Sequence, residues 1–246
     1  MHPATEEAIR AHAIAEYPRE CCGLVIIEHG VETYVPCRNA ADPEDKNAHF
    51  VLPADEYACA EDKGQIVALV HSHTDEPARP SEGDKVACEA SALIWHIIRV
   101  DGGPDGPVAT ELVTHAPCGY QAPLVGRGFF HGVLDCYSLI RDWYQRERGI
   151  TLKDFARRDG WWRDGSGDDL YMTQFRVAGF VAVDASDIQI GDVIIMQYGA
   201  RVANHAGVYI GNSEFLHHLY NKLSTRDVYG GHWREITRLI VRYRPA

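Results

Sequence analysis

The 246-residue chain is 46% hydrophobic and 24% charged, with a formal net charge of -11, a composition able to bury a substantial core. It has no apolar run near the roughly 20 residues of a membrane span, and its start, "MHPATEEAIRAHAIAEYP", has no basic n-region or apolar h-region, so neither a transmembrane segment nor a signal peptide is expected. Seven cysteines, an odd count that includes the adjacent Cys21-Cys22, argue against a disulfide framework and for a reducing compartment.

In chain order, residues 5–15 predict a helix with Ala8, Ile9 and Ala13 on its apolar side. "CGLVIIE" and "ETYVP" predict a hairpin around Gly30, "AHFVLP" (48–53) a short strand, and 54–63 a helix. "QIVALVHSH" is a continuous apolar run and reads as a buried strand. Residues 81–92 read as a helix, and "IWHIIRV" and "VATELVT" as strands flanking the turn "DGGPDGP". The second half opens with a helix over 135–148, whose buried side is Leu139, Ile140, Trp143 and Tyr144, and a further helix is expected over 169–178. "DVIIMQY", "HAGVYIG", "EFLHHL", "LSTRDVY" and "LIVRYR" then read as strands. Helices followed by strands suggest an α+β domain with an antiparallel sheet.

Charge divides the chain as well. Residues 1–118 hold 8 Lys and Arg against 21 Asp and Glu, whereas 119–246 hold 16 against 14. With the Pro- and Gly-rich "THAPCGYQAPLVGRG" at the break, this predicts two domains, 1–118 and 119–246. The acidic first domain would repel phosphates, so no nucleic-acid partner is expected.

The first chemical constellation is "VHSHTDEPARPSEGD" (70–84). Side chains two apart on a strand face the same way, so His71 and His73 project together. Imidazole is the commonest neutral metal ligand, and Asp84 can complete a three-ligand zinc site if the loop folds back. Taken singly, His-x-His can be surface polarity, and Ser81-x-x-Asp84 can be a capping box that fixes a helix start. Glu20 alone reads as a solvated carboxylate before a strand.

The second constellation is "GVLDCYSLIRDWY". It sets Cys136 at a helix start behind Asp135, a plausible N-cap. Helix N-termini and a nearby His⁺ both favour thiolate, and "NHAGVYIG" and "EFLHHL" bring His205 and His217/His218 on strands. Cysteine, base and orienting group form a nucleophilic arrangement. His217 and His218 would point to opposite faces of a strand, so only one can join. The other six cysteines lie among apolar residues and are expected to be mostly buried and inert, leaving Cys136 as the one fast-reacting thiol.

His71-Ser72-His73, Ser81 and Asp84, with Pro18, Glu20, Cys22 and Gly23 in "YPRECCG", resemble the JAMM (JAB1/MPN) metallopeptidase signature over about residues 1–115. The resemblance implies a mixed sheet with flanking helices of the MPN, cytidine-deaminase-like type. It further implies Zn²⁺ on His71, His73 and Asp84 with a water in the fourth position, Glu20 as general base, and Ser81 steadying the oxyanion. Residues 119–246 resemble the NlpC/P60 papain-like cysteine peptidases, an α+β fold, through Asp135-Cys136, His205 before "GVYIG", and a later polar residue whose spacing favours His217. Many members read Asp-Cys-Ser-Gly where this chain has Asp135-Cys136-Tyr137-Ser138. The tyrosine often found before the first glycines is Leu124 in "PLVGRG".

The order of the two parts, with "HGVLDCYSLIRDWY", "GDVIIMQ" and "FLHHLYNKLS", resembles the tail-assembly protein K family of lambda-like siphophages. That likeness implies a tail-tip component in the host cytoplasm during assembly and then in the virion tail tip, with other tail-tip proteins as partners. Its second domain would cut peptidoglycan stem peptides, at γ-D-glutamyl–diamino-acid bonds. Its JAMM domain would cut a protein, in tail maturation. Two alternatives are a cellular isopeptidase for ubiquitin-like proteins and a structural tail component with vestigial sites.

Overall fold

The computed structural model describes residues 1–41, 49–163 and 169–244. The chain divides into two compact units, Met1–Tyr120 and Gln121–Ala246. Among the described residues no helix is long and apolar enough to cross a membrane.

The first unit runs α1 (Pro3–Glu16), β1 (Cys22–Glu28), β2 (Val31–Cys37), α2 (Ala54–Lys63), β3 (Gln65–Thr74), α3 (Glu82–Ser91), β4 (Ile94–Asp101) and β5 (Val108–His115). The strands form one mixed sheet in the order β2-β1-β3-β4-β5, antiparallel except for the β3–β4 pair. Helices cover both faces, so each strand splits its apolar residues by parity. Val25, Ala68, Val70 and Ile98 pack with Ile9 and Ala13 of α1. Leu24, Ile26, Leu69 and Trp95 pack with Ala60 of α2 and Cys88 of α3. His71 and His73 continue the parity of Leu69 and emerge on the α2/α3 side.

Two expectations change here. The buried side of α1 is Thr5, Ile9 and Ala13, spaced by four, and Ala8 faces solvent. Residues 49–53 form no strand, and Ala48 lies outside the described residues. Asn39 explains the irregular path: its side-chain oxygen accepts from the Ala41 and Val51 N–H groups, and its amide donates to the Glu20 and His49 carbonyls. A buried side chain thus takes backbone bonds that a ladder would otherwise make.

The second unit runs α4 (Cys136–Arg148), α5 (Leu170–Gln174), β6 (Phe180–Val183), β7 (Val193–Met196), β8 (His205–Gly211), β9 (Glu214–His217), β10 (Thr225–Val228), α6 (His232–Glu235) and β11 (Thr237–Tyr243). Its antiparallel sheet has the order β10-β9-β8-β7-β11-β6. Leu139, Ile140, Trp143 and Tyr144 of α4 pack on Val193, Ile195, Ala206, Val208, Leu216 and Val241. The opposite face gathers Ile194, Met196, Phe215, Tyr229 and Ile240. The helix expected over 169–178 is only the short α5, and "FVAV" adds the unexpected strand β6, paired to β11. Four residues with no clear alternation give little period to read.

In the first unit, Ser72 sits between the two histidines and is fully buried. Its N–H donates to the Cys21 carbonyl (3.1 Å), and its hydroxyl accepts from the Cys21 N–H (2.7 Å). Ser72→Ala would strand a buried N–H, costing about 1–3 kcal/mol. Hydrogen-exchange mass spectrometry should show lower protection for peptides covering residues 20–26 and 65–74, with 193–211 unchanged. Equal protection in the variant would contradict this role.

Candidate functional sites

Antiparallel pairing of β1 with β3 sets Cys22 opposite His71, which brings Glu20 alongside the histidines. Ser81 caps α3, accepting from the Asp84 N–H while the Asp84 carboxylate accepts from the Ser81 N–H (2.7 Å), a reciprocal capping box. The locked carboxylate faces both rings: His71 Nε2 lies 3.4 Å from Oδ1 and His73 Nε2 3.3 Å from Oδ2. The two Nε2 atoms are 3.2 Å apart. His73 Nδ1 donates to the Pro77 carbonyl (2.7 Å), turning the Nε2 lone pair toward His71. Phe50 stacks on His71 at 4.7 Å and Trp95 meets its edge.

His71, His73 and Asp84 can place donor atoms within 4.8 Å of one another. Two ring nitrogens facing each other share at most one proton, whereas a divalent cation engages both lone pairs. The donor set of two imidazoles and one carboxylate therefore fits zinc. Burial works to raise the Asp84 carboxyl, yet the facing His71 and His73 rings and the hydrogen bond with Ser81 hold it well below the usual range. Burial pushes the Glu20 carboxyl up to about 8, with His73 opposing.

In the second unit, Asp135 is the N-cap of α4 and is nearly fully buried. Its carboxylate accepts from the Ser138 N–H and hydroxyl and from the Gly132 N–H, each at 2.9 Å. Arg157 donates to both oxygens, at 2.6 and 3.0 Å, and also to Ser138 Oγ and the Gly132 and Phe155 carbonyls. One guanidinium thus ties the loop after α4 to the turn that presents Cys136. A cleft of about 270 Å³ opens over Cys136, lined also by His205, His218, Trp161, Trp162, Tyr171 and Tyr220.

His205 begins β8 and His217 ends β9. His205 Nε2 lies 3.0 Å from His217 Nδ1, and His217 Nε2 lies 3.2 Å from the Asp227 carboxylate of β10. Gly207 makes the approach possible, since a Cβ there would fall 2.7 Å from the Phe215 ring and 2.9 Å from His217 Cβ. The network assigns the tautomers. A proton on His217 Nε2, facing Asp227, leaves Nδ1 to accept from His205 Nε2–H. His205 Nδ1 then keeps its lone pair and can act as a base. His218 lies just beyond the end of β9, pairs through Nε2 with the Lys222 carbonyl, and lines the cleft without joining the pair.

Burial opposes the expected thiolate. Burial and the Asp135 charge push the Cys136 thiol up to about 11, although Tyr171 and the Ala206 backbone pull the other way. Burial and the neighbouring His217 and His218 hold His205 well below its ordinary value. Both directions favour the neutral forms, because burial penalises each charge. The seven cysteines are free, and Cys59 and Cys118 are exposed. Burial of the other cysteines therefore fails for these two, and access alone does not single out Cys136.

Sequence reasoning missed Tyr171, whose hydroxyl lies 3.0 Å from Cys136 Sγ, as well as Arg157 and Asp227. Tyr171 lay within the helix expected over 169–178, Arg157 in a loop and Asp227 in an expected strand, and nothing in those patterns marks them beyond polarity. Burial would raise the Asp135 carboxyl, but Arg157 and the Ser138 N–H bring it down to about 2, against about 3.9 unfolded. A depressed carboxylate adds stability that is fully present above the unfolded value and is lost as pH falls through the folded one. Asp135→Asn should therefore destabilise the second unit by about 2 kcal/mol near neutrality. In pH-dependent denaturation, that gap should shrink between about pH 4 and 2. A gap independent of pH would contradict it.

Residues 2–113 match the family model for prokaryotic homologues of the JAB domain, and residues 125–242 match that of the NlpC/P60 family. Tail tip assembly protein K of Escherichia phage N15 is 44% identical over 245 residues, covering 99% of this chain and 96% of that protein. Tail tip assembly protein K of Escherichia phage lambda is 38% identical over 193 residues, covering 78% and 89%. An NlpC/P60 family protein from Bacillus cereus aligns over 94% of this chain and 65% of its own, at 13% identity and a TM-score of 0.36, an overlay too loose to add to the assignment. With the two domains in this order and identity running along the whole chain, the protein belongs to the tail tip assembly protein K family.

Proposed function

We propose that the chain is a bifunctional hydrolase of a phage tail tip, with a zinc metallo(iso)peptidase domain over 1–118 and a peptidoglycan-cleaving thiol endopeptidase domain over 119–246. The observation that carries the reading is the cleft that holds Cys136 at a helix start together with His205, backed by His217. Membership of a family whose named members are tail tip assembly proteins supports a place in the tail tip, beside other tail-tip proteins. The chain would act there in tail assembly, in cell-wall penetration through cleavage of stem peptides, or in both.

In the thiol domain, Cys136 Sγ would attack the scissile carbonyl as its proton passes to His205. Attack and proton transfer are coupled because the resting pair is neutral. His205 would return the proton to the leaving amine, and water would then cleave the thioester to release the acid and the thiol. His217 orients His205. In the other domain, His71, His73 and Asp84 would hold zinc, which when bound supplies a Lewis acid for the scissile carbonyl and lowers the pKa of the attacking water. Glu20 would take that water's proton and pass it to the leaving amine. Ser81 accepts from Asp84 N–H through one lone pair, so its hydroxyl proton remains to steady the oxyanion.

Zinc-loaded protein should hold about one ion per chain, measured by elemental analysis, and His71→Ala or Asp84→Ala should lose it. Full zinc content in the His71/His73 double alanine variant would sink the metal assignment. Digestion of purified murein peptides should be nearly abolished in Cys136→Ala and in His205→Ala, whose losses do not add in the double variant. His217→Ala should cost less. Cleavage surviving in Cys136→Ala would remove the thiol reading.

A further inference from the structure

A carbonyl attacked by sulfur becomes an oxyanion, and a buried site must meet that charge with donors placed in advance. Two sources stand beside Cys136. One is the start of α4: its cap engages the Ser138 N–H, and the first helical bond uses the Leu139 N–H. The Cys136 and Tyr137 N–H groups have no intrahelical partner, and the macrodipole puts positive charge at that end. The other is the hydroxyl of Tyr171, 3.0 Å from Sγ.

We infer that Tyr171 is a catalytic residue of the thiol domain, whose hydroxyl donates to the oxyanion formed when Cys136 attacks. The inference rests on the thiol-hydrolase reading and deepens it. Tyr171 reaches the sulfur from α5, whose start is fixed by Asp169, which accepts from the Met172 N–H (3.2 Å). Trp161 packs near its ring. In the resting state the hydroxyl and the thiol share one hydrogen bond. When Sγ bonds to the carbonyl carbon, the thiol proton goes to His205 and the C=O π pair moves onto oxygen. Sulfur becomes thioether-like and a weak acceptor, while the strongest acceptor is now the oxygen attached to that carbon. The hydroxyl follows the charge by a small rotation about its own C–O bond. Burial also keeps Tyr171 protonated, well above its ordinary value, so it remains a donor across the working range. Leu124, where the family resemblance would put a tyrosine, packs against the core and offers only hydrocarbon.

The alternative is that Tyr171 merely holds or tunes the sulfur, and two reactions at the same atom separate the roles. Acylation of Cys136 by p-nitrophenyl acetate passes through an oxyanion, whereas alkylation by iodoacetamide does not. Both are read on intact protein by mass mapping of Cys136, because Cys59 and Cys118 are exposed. In Tyr171→Phe, which keeps the ring, acylation should slow at least about tenfold while alkylation changes less than about threefold. On murein peptides kcat should fall about 10²–10³-fold, the usual loss of an oxyanion donor, with KM within about twofold. Equal slowing of both reactions, or unchanged acylation, would overturn the role. If wild-type protein digests no murein peptide but the ester and iodoacetamide rates still diverge in Tyr171→Phe, the substrate reading falls and the role of Tyr171 stands.

Discussion

Each candidate site depends on a carboxylate locked into the start of a helix. In the first unit, Asp84 is held by the capping box of α3 and faces His71 and His73. In the second, Asp135 caps α4 and anchors Arg157, which ties down the turn before Cys136. The exposed N–H groups of a helix end stabilise a carboxylate and also restrict its rotamers. Strands then deliver the remaining groups at fixed spacing: β3 carries His71 and His73 two apart, and the β8–β9 pairing sets His217 opposite Gly207, within reach of His205.

What could be read in the sequence follows from that construction. Strand parity, helix caps and local motifs are short-range features, so β3, α3, α4 and the set His71, His73, Ser81, Asp84, Asp135 and Cys136 all lie within legible segments. Glu20 needed the resemblance, because its neighbourhood comes from β1–β3 pairing across about fifty residues. Tyr171, Arg157 and Asp227 could not be read at all. Each reaches its partner from an element of little or no periodicity, at separations of 35, 22 and 10 residues in the chain. The strand expected over 48–53 failed for a related reason: Asn39 satisfies that backbone through a side chain, leaving no ladder for a pattern to betray.

Electrostatics changes the chemical picture more than the fold does. A helix N-terminus suggested a thiolate, but the low-dielectric cleft and the adjacent Asp135 charge outweigh it. The same burial, with His217 and His218 beside it, lowers the His205 imidazole. Such a pair suits coupled attack and proton transfer, and it places the burden of charge stabilisation on donors aimed at the carbonyl oxygen. The chain His205, His217 and Asp227 supports this by assigning which ring nitrogen carries each proton, with Asp227 acting through His217.

The central claim is that one chain holds two chemically independent hydrolytic sites. Zinc-loaded protein can be treated with a metal chelator, or with iodoacetamide mapped to Cys136, while murein-peptide cleavage and bound zinc are followed together. The account predicts that chelation removes zinc and leaves murein cleavage intact, and that alkylation stops cleavage and leaves zinc bound. Loss of murein cleavage on chelation alone, with the fold retained by circular dichroism, would contradict it.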